Sequence, residues 1–434
     1  MFSVFRNRSY RHLFLAQVIA LVGTGLATVA LGLLAFDLAG DKAGTVLGTA
    51  LAIKMIAYIG VAPIASAFSE RLPRRTTLVT LDLIRAAVAI SLPFVTQIWQ
   101  IYILIFVLQS ASAAFTPTFQ ATIPDVLPEE DEYTKALSLS RLAYDLESVV
   151  SPMLAAALVS VISFHMLFAG TSIGFIGSAL LVVSVVLPKA KLSPPRGIYD
   201  RTTKGLRTYL ATPRLRGLLA LNLAVAAASA MVIVNTVVYV QARFGLTQTQ
   251  TAWALAAFGG GSMAAAFILP GLLKSISDRT AMLSGASVLI IGLFAGSTVD
   301  SYHWMLVLWG LLGIGYSLTQ TPSGRLLRRS SSAEDRPSLF AAQFALSHAC
   351  WLVTYPVAGW LGARIGLSLT FVVLGLIALV AVIAAAKLWP AVDPEQIEHE
   401  HADLDEEHVH LAGGGKRHCH HYVIDDYHRD WPHP

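Results

Sequence analysis

Nine of the thirteen histidines in this chain fall within its last 36 residues. Several recur at short spacing: His399 with His401, His408 with His410, and the run His418-Cys419-His420-His421, with acids between the groups. Imidazole and thiolate are the ligands that zinc, nickel, cobalt and copper take, and the first-row affinity order prevents ligand type alone from choosing among them. Such clusters hold an ion reversibly at neutral pH and weaken as the imidazoles protonate near about pH 6. The plainer alternative is a solvated acidic tail in which histidine is incidental. Nine histidines in so short a segment argue against it.

The other chemistry-bearing residues are few and lie inside apolar sequence: Lys54, the pair Asp82 and Arg85, the group Arg141, Asp145 and Glu147, and His348 with Cys350. A charge at bilayer depth is costly, so each of these is a candidate for ion coupling or transport. Asp82 and Arg85 are three apart on one helical face and can neutralise each other, as can Arg141 and Asp145 one turn apart. Glu147 lies roughly 200° around the helix from Asp145 and needs another partner or a water-filled path. Lys54 has no partner evident in the sequence. Carboxylate, imidazole and thiol from Asp145, Glu147, His348 and Cys350 could together bind a divalent transition metal. The competing reading has Asp145 balancing Arg141, with His348 and Cys350 simply packed.

These residues must be positioned by membrane-spanning helices. The composition, 55% hydrophobic with 13% charged residues, is too apolar for a soluble chain of this length. Repeated apolar stretches of about 20 residues match the length an α-helix needs to cross the hydrocarbon core, and only helices satisfy the backbone there. The expected fold is all-α, with twelve spans at about 12–37, 44–69, 76–96, 99–119, 134–160, 163–187, 215–240, 249–273, 280–299, 303–322, 337–362 and 365–389. The N-terminal segment, rich in arginine and without a small-residue cleavage site, reads as an uncleaved first helix. Cys350 and Cys419 are the only cysteines and make no disulfide framework.

Basic residues set the expected orientation: twenty-one fall in one set of connections and three in the alternate set. Short cytoplasmic loops accumulate Lys and Arg, so both termini are expected in the cytoplasm of a multi-pass inner-membrane protein. From Pro390 onward the chain has eleven acids and three bases, which leaves the body basic although the whole chain is only +4. That surplus is the collar of a membrane protein and gives a nucleic-acid partner no support. The expected partners are the lipid bilayer and a transported ion or small molecule, with the chain monomeric. No resident cofactor is required, and a transition-metal ion is the expected cargo or regulator. No nucleophile triad, nucleotide loop or closed catalytic metal motif suggests an enzyme, and Gly259-Gly260-Gly261 follows no strand, so it reads as a helix-packing surface.

A shift of 205 residues places Arg11 on Arg216, Thr116-Pro117 on Thr321-Pro322, and Glu129-Glu130 on Glu334-Asp335, with Pro152 within one residue of Pro356. The chain therefore divides into a six-helix unit at 1–187, a basic linker at 188–214, a second six-helix unit at 215–389 and a tail at 390–434. Paired repeats of this kind build a central site near the midplane. Low apolar periodicity with dense Asp, Glu and His predicts a disordered tail.

The loop Ser66 to Arg75 is similar to the Gly-x-x-x-Asp-Arg-x-Gly-Arg-Arg signature of the major facilitator superfamily, with Glu70 for the acid, Arg71, Arg74 and Arg75 for the bases, and Ser66 and Pro73 replacing both glycines. The resemblance extends over about residues 5 to 390 and to the superfamily's bacterial inner-membrane exporters. It implies that Glu70, Arg71, Arg74 and Arg75 latch the halves on the cytoplasmic side, although the arginines alone would also enforce topology. In the second half Lys274 stands where the acid belongs, which predicts a one-sided latch. Ser148 to Ala156 resembles a degraded antiporter signature around Pro152. The His-rich tail is similar to that of nickel-resistance exporters in the same superfamily. The resemblance implies export of a divalent metal, nickel or cobalt and possibly zinc, by proton antiport with alternating access. An exporter of an organic solute, a drug or siderophore, with a metal-sensing or incidental tail is the alternative. A membrane-anchored metal buffer that transports nothing is a third reading.

Overall fold

A computed structural model describes residues 1–39, 43–69, 72–188, 197–394, 396–400, 417–425, 427–428 and 431–432. Among these, the first half holds α1 (Arg8–Ala39), α2 (Ala43–Ser69), α3 (Arg74–Ser91), α4 (Ile98–Val126), α5 (Glu130–Val159) and α6 (His165–Val183). A short α7 (Ile198–Ala211) lies in the linker. The second half holds α8 (Pro213–Val237), α9 (Gln248–Leu272), α10 (Asp278–Gly296), α11 (Tyr302–Gln320), a seven-residue α12 (Ser323–Arg329), α13 (Arg336–Arg364) and α14 (Leu367–Leu388).

Nine of the described helices are individually long and apolar enough to cross a membrane. The three long helices outside that set, α5, α11 and α13, carry much of the polar sequence facing the molecular centre. Their polarity is affordable because their inner faces turn away from lipid. Conversely, Ile56, Ile173, Leu180, Ile268, Ile291 and Val380 are each at least 60% exposed on the outside. An apolar belt of that kind is what the acyl chains cover.

The helix pairings repeat. α1 packs on α6 as α8 packs on α14, α3 on α6 as α10 on α14, and α2 on α4 as α9 on α11. Each half exchanges one helix with the other in the same sense, α2 against α13 and α5 against α9. Small residues set the closest approaches: a Cβ on Gly261 would lie 2.0 Å from the Gly310 carbonyl oxygen, and one on Gly313 would lie 1.9 Å from that of Phe258. The glycine run in α9 is thus part of a close-packing surface, as its composition predicts. Helix starts are capped locally; Thr247 accepts from the Thr249 amide and forms a capping box with Gln250 at the start of α9. Gly366, at φ +86°, supplies the left-handed turn into α14.

Boundaries differ from expectation where charged residues meet the membrane edge. α4 continues through Pro117 and Pro124 to Val126, and α5 begins at Glu130. Both helices project past the apolar segment, and their ends carry the gate described below.

The tail corrects the expectation of disorder for its described part. Gln396–Glu400 (β1) and Arg417–His421 (β2) pair antiparallel, with His399 opposite His418 and Ile397 opposite His420. Tyr422, Ile424 and His428 are buried. Ring-on-ring contacts among histidines and Tyr422 supply a small core that a count of aliphatic residues misses.

Candidate functional site

A cavity of about 590 Å³ lies between the halves. Among aliphatic and hydroxyl residues its wall carries a set of aromatics, Tyr58, Tyr144, Tyr316, Phe344, Trp351 and Tyr355, and of amides, Gln17, Gln109, Gln320 and Gln343. The charged or titratable residues facing it include Lys54, Arg85, Arg141, Glu147 and His348. Asn235, by contrast, donates to the Ala358 carbonyl at 3.2 Å and ties α8 to α13.

Lys54, Tyr58 and His348 form one cluster across α2 and α13. The Lys54 ammonium lies 5.5 Å from the Tyr58 ring centroid, and the His348 ring stands edge-on to Tyr58 at 4.7 Å. His348 Nδ1 donates to the Phe344 carbonyl at 2.7 Å, which leaves Nε2 as the nitrogen able to accept or ligate. The acid that meets the Lys54 charge is Glu147, whereas a positive charge on His348 would be repelled by it. Gly25 of α1 makes room here: a Cβ on it would lie 2.7 Å from Glu147 Oε1 and 2.2 Å from Ser151 Cβ.

Arg141 pairs with Asp145 and donates to the Tyr316 hydroxyl at 3.2 Å, so one guanidinium joins α5 to α11 across the halves. Its plane also lies 4.8 Å from the Tyr316 ring. Asp82 and Arg85 pair within α3; Ser178 donates to Asp82 at 2.8 Å, and Arg85 stacks on Phe115 at 3.9 Å. That pair is built into the packing of α3, α4 and α6.

The proposed core metal set does not assemble. Glu147 and His348 face the cavity, whereas Asp145 is committed to Arg141 and neither Asp145 nor Cys350 is among the described lining residues. Positions related by the 205-residue shift have equivalent depths about a pseudo-twofold axis. Equivalent depth does not make them neighbours.

At the end of the bundle carrying the linker and tail, ion pairs join the halves. Asp125 at the end of α4 accepts from both Arg74 of its own half and Arg336 of the other. Glu130 and Asp278 both pair with Arg325, the latter at 2.9 Å, and Arg328 donates to the Pro128 carbonyl. Tyr133 donates to the Gly324 carbonyl at 3.3 Å. Of the latch residues expected from sequence, Arg74 belongs to this gate, Arg75 is exposed, and Glu70 and Arg71 lie outside the described residues. In the second half Asp278 pairs with Arg325 of its own half at 2.9 Å, and Lys274 faces Asp131 of the first half at 3.5 Å. Asp125, Glu130, Arg325 and Arg336 escape a sequence reading that looks for charge only inside spans. Their signal is the run of charges flanking α4, α5, α12 and α13.

The tail sits at this same end. Asp393 accepts from Arg329 at 2.6 Å and from the Trp389 indole at 3.0 Å, and it pairs with buried Arg214 at 3.6 Å. Arg214 lies 4.7 Å from the Trp431 ring. In the hairpin, one ligand nitrogen from each of His399, His418 and His420 lies within 4.8 Å of the others, which is the metal-ligand group found among the described residues. Cys419 is exposed; His401, His408 and His410 lie outside the described residues, as does the side chain of His421. Burial works against the Asp425 charge, yet the His428 ring and the backbone amides of Tyr427 and His428 hold its carboxyl below its ordinary range.

Two helix bundles with duplicated pairings enclose a cavity, and ion pairs join them at one end. Residues 13–221 and 218–417 each match the Major Facilitator Superfamily profile. The chain belongs to the Major Facilitator Superfamily. It is a multi-pass membrane transporter and not an enzyme. Among similar proteins, an uncharacterized MFS-type transporter, YfiS, of Bacillus subtilis (strain 168) is 23% identical over 394 residues, covering 86% of this chain and 91% of that one. Macrolide efflux protein A of Streptococcus pyogenes is 28% identical over 153 residues, which is 33% of this chain and 38% of that protein. Two solved structures share the superfamily fold at 13% identity. The human organic anion transporter MFSD10 has a TM-score of 0.72 and covers 87% of this chain and 99% of its own. A bacterial homologue of the iron transporter ferroportin has a TM-score of 0.74, with 88% and 99% covered.

Proposed function

We propose that the protein is a secondary active exporter of a divalent transition-metal ion, nickel or cobalt first and zinc next, driven by proton antiport. The observation that carries this reading is the imidazole cluster of His399, His418 and His420, linked through Tyr422 and Trp431 to Arg214 at the end of the bundle where the ion pairs lie. The excess of basic residues in the loops at that end supports a cytoplasmic placement for it, in an inner membrane. A chelating tail there raises the ion's local concentration on the side from which cargo leaves, which suits export over uptake. Glu147, facing the cavity beside Lys54, is the candidate proton carrier, and His348 is the candidate cargo ligand.

The cavity favours a second reading. Its volume of about 590 Å³ and the aromatics and amides of its wall suit an organic solute of several rings, and the matched stretch of a macrolide efflux protein points the same way. In that case the tail senses metal while the cavity carries the organic compound. Inverted vesicles loaded with an acidic lumen separate the two: proton-driven uptake of nickel, cobalt or zinc supports metal export, and uptake of an organic cation or macrolide without any metal flux replaces it.

A further inference from the structure

We infer that His399, His418, His420 and His428 form one closed four-imidazole site for a divalent transition-metal ion, oriented by Asp425 and the Ile397 carbonyl, which fastens the tail to the gate. The strand register selects the first three ligands. His399 stands opposite His418, and His420 is two residues further along the same strand, so all three share one face of the hairpin. Cys419, between them, belongs to the opposite face and is exposed. The run that looks in sequence like one contiguous chelator is therefore divided by the pleat.

His428 completes the set from outside the hairpin. Its Nε2 lies 3.0 Å from His399 Nε2, and its ring is buried. The other nitrogen of each ring is committed: His399 Nδ1 donates to the Ile397 carbonyl at 2.9 Å, and His428 Nδ1 to the Asp425 carboxylate at 2.8 Å. Carbonyl and carboxylate oxygens only accept, so both ring protons sit on Nδ1 and the two Nε2 lone pairs are turned toward each other. Two Nε2 atoms at that distance need a positive centre between them, either a proton on one ring or a metal ion bound by both. Two imidazole nitrogens bound to one zinc ion at about 2.0–2.1 Å in tetrahedral geometry stand about 3.3 Å apart. Ligand histidines characteristically donate their second nitrogen to a carboxylate or backbone carbonyl, which is the arrangement here.

A shell of four protein ligands leaves no open position, and closed sites are structural ones. The ion in this site is consequently held, and ions for transport are gathered by the other histidines and acids of the tail sequence. What the held ion fastens is connected to the gate. Tyr422 packs edge-on against His399 and His428, Trp431 packs on Tyr422 at 5.2 Å, and Arg214 lies over Trp431 while pairing with Asp393. Asp393 also binds Arg329, four residues along α12 from the Arg325 that pairs with Glu130. Filling the site orders the hairpin against the C-terminal half and biases the gate, whatever the cavity carries.

This inference rests on the reading of the tail as metal-binding, and it is independent of what crosses the membrane. The test is equilibrium dialysis of the purified full-length chain in detergent against zinc alone and nickel alone, with amide exchange of Gln396–Glu400 and Arg417–His421 followed in parallel. The expected result is one tightly held ion per chain, with exchange in both strands slowed on loading. Asp425→Asn should weaken that ion about 10- to 100-fold, His428→Ala by at least as much, and Cys419→Ser by less than about twofold. Unchanged affinity in His428→Ala, or a loss in Cys419→Ser equal to it, overturns the site. Metal held in this pattern by a chain that moves no metal across vesicles leaves the site standing and removes the export reading; metal flux with His428→Ala binding unchanged does the reverse.

Discussion

Arg336, in the first turn of α13, donates to Asp125, at the end of α4, so an acid of the first half holds a cation of the second. Arg74 grips the same carboxylate from the first half's own side. Asp125 is thus the shared anion of the gate, and opening the gate means separating it from Arg336 while Arg74 keeps it neutralised. A hydrogen-bonded charge pair of limited exposure contributes about 1.5–3 kcal/mol to the state that contains it.

Asp125→Asn should therefore favour the open gate by about 10- to 100-fold. The measurement is labelling by a membrane-impermeant maleimide, added from the linker end, of a single cysteine replacing cavity-facing Ser140, with Cys350 and Cys419 changed to serine. Faster labelling is expected for Asp125→Asn and for Arg336→Gln, and little further gain in the double variant. Rates no faster than the parent's in all three would remove Asp125 from the gate.

Gly25→Ala should destabilise the fold by about 1–3 kcal/mol, because its new methyl would overlap Ser151 and crowd Glu147. Gly32, on the same helix, has nothing near its missing Cβ, so Gly32→Ala should be neutral or stabilising by up to about 1 kcal/mol. Thermal unfolding of the two variants in the same detergent decides between steric contact and simple helix propensity. Equal shifts would mean that the close approach of α1 and α5 is not what the glycine serves.

Much of the fold is legible in the sequence because apolar length, the loop-charge asymmetry and the 205-residue repeat are each properties of consecutive residues. The pairs Asp82 with Arg85 and Arg141 with Asp145 are legible for the same reason: helical spacing brings them together within one element. Contacts between elements are not. Lys54 and Tyr58 share one turn of α2, but His348 and Glu147 reach them only because α13 and α5 converge there, and Tyr316 reaches Arg141 only across the two halves. The tail shows the opposite failure. Its histidines are conspicuous as a composition, yet strand alternation puts His418 and His420 on one face and Cys419 on the other, which a count of ligands cannot foresee.

Asp82→Asn should cost about 3–5 kcal/mol of stability, since it leaves buried Arg85 without its counter-charge. Replacing both partners, Asp82→Leu with Arg85→Met, should recover most of that loss, because Phe115 and Phe175 accept a thioether in place of the guanidinium. Unfolding temperature and flux per folded molecule are measured together. A double variant that is stable but moves no cargo would give this pair a transport role that its packing does not suggest.

Glu147→Gln should separate coupling from cargo movement. The amide keeps the side chain's size against Gly25 and Ser151 but cannot carry a proton through the cycle. Glu147 suits that role better than Asp145. Asp145 is tied to Arg141 in an ion pair that helps join the halves, whereas Glu147 faces the cavity and meets Lys54 through space. Proton-driven nickel uptake into inverted vesicles should fall by about 100-fold in Glu147→Gln, the scale on which a positioned proton-transfer group contributes. Exchange of nickel against nickel, which needs no net proton movement, should persist within about threefold. Asp145→Asn should abolish both, because freeing Arg141 breaks its link to Tyr316 and disturbs the joint between the halves. Glu147→Gln vesicles that still concentrate nickel against an imposed proton gradient would move the coupling site to another residue, and His348, one contact away through Lys54, is the first to test.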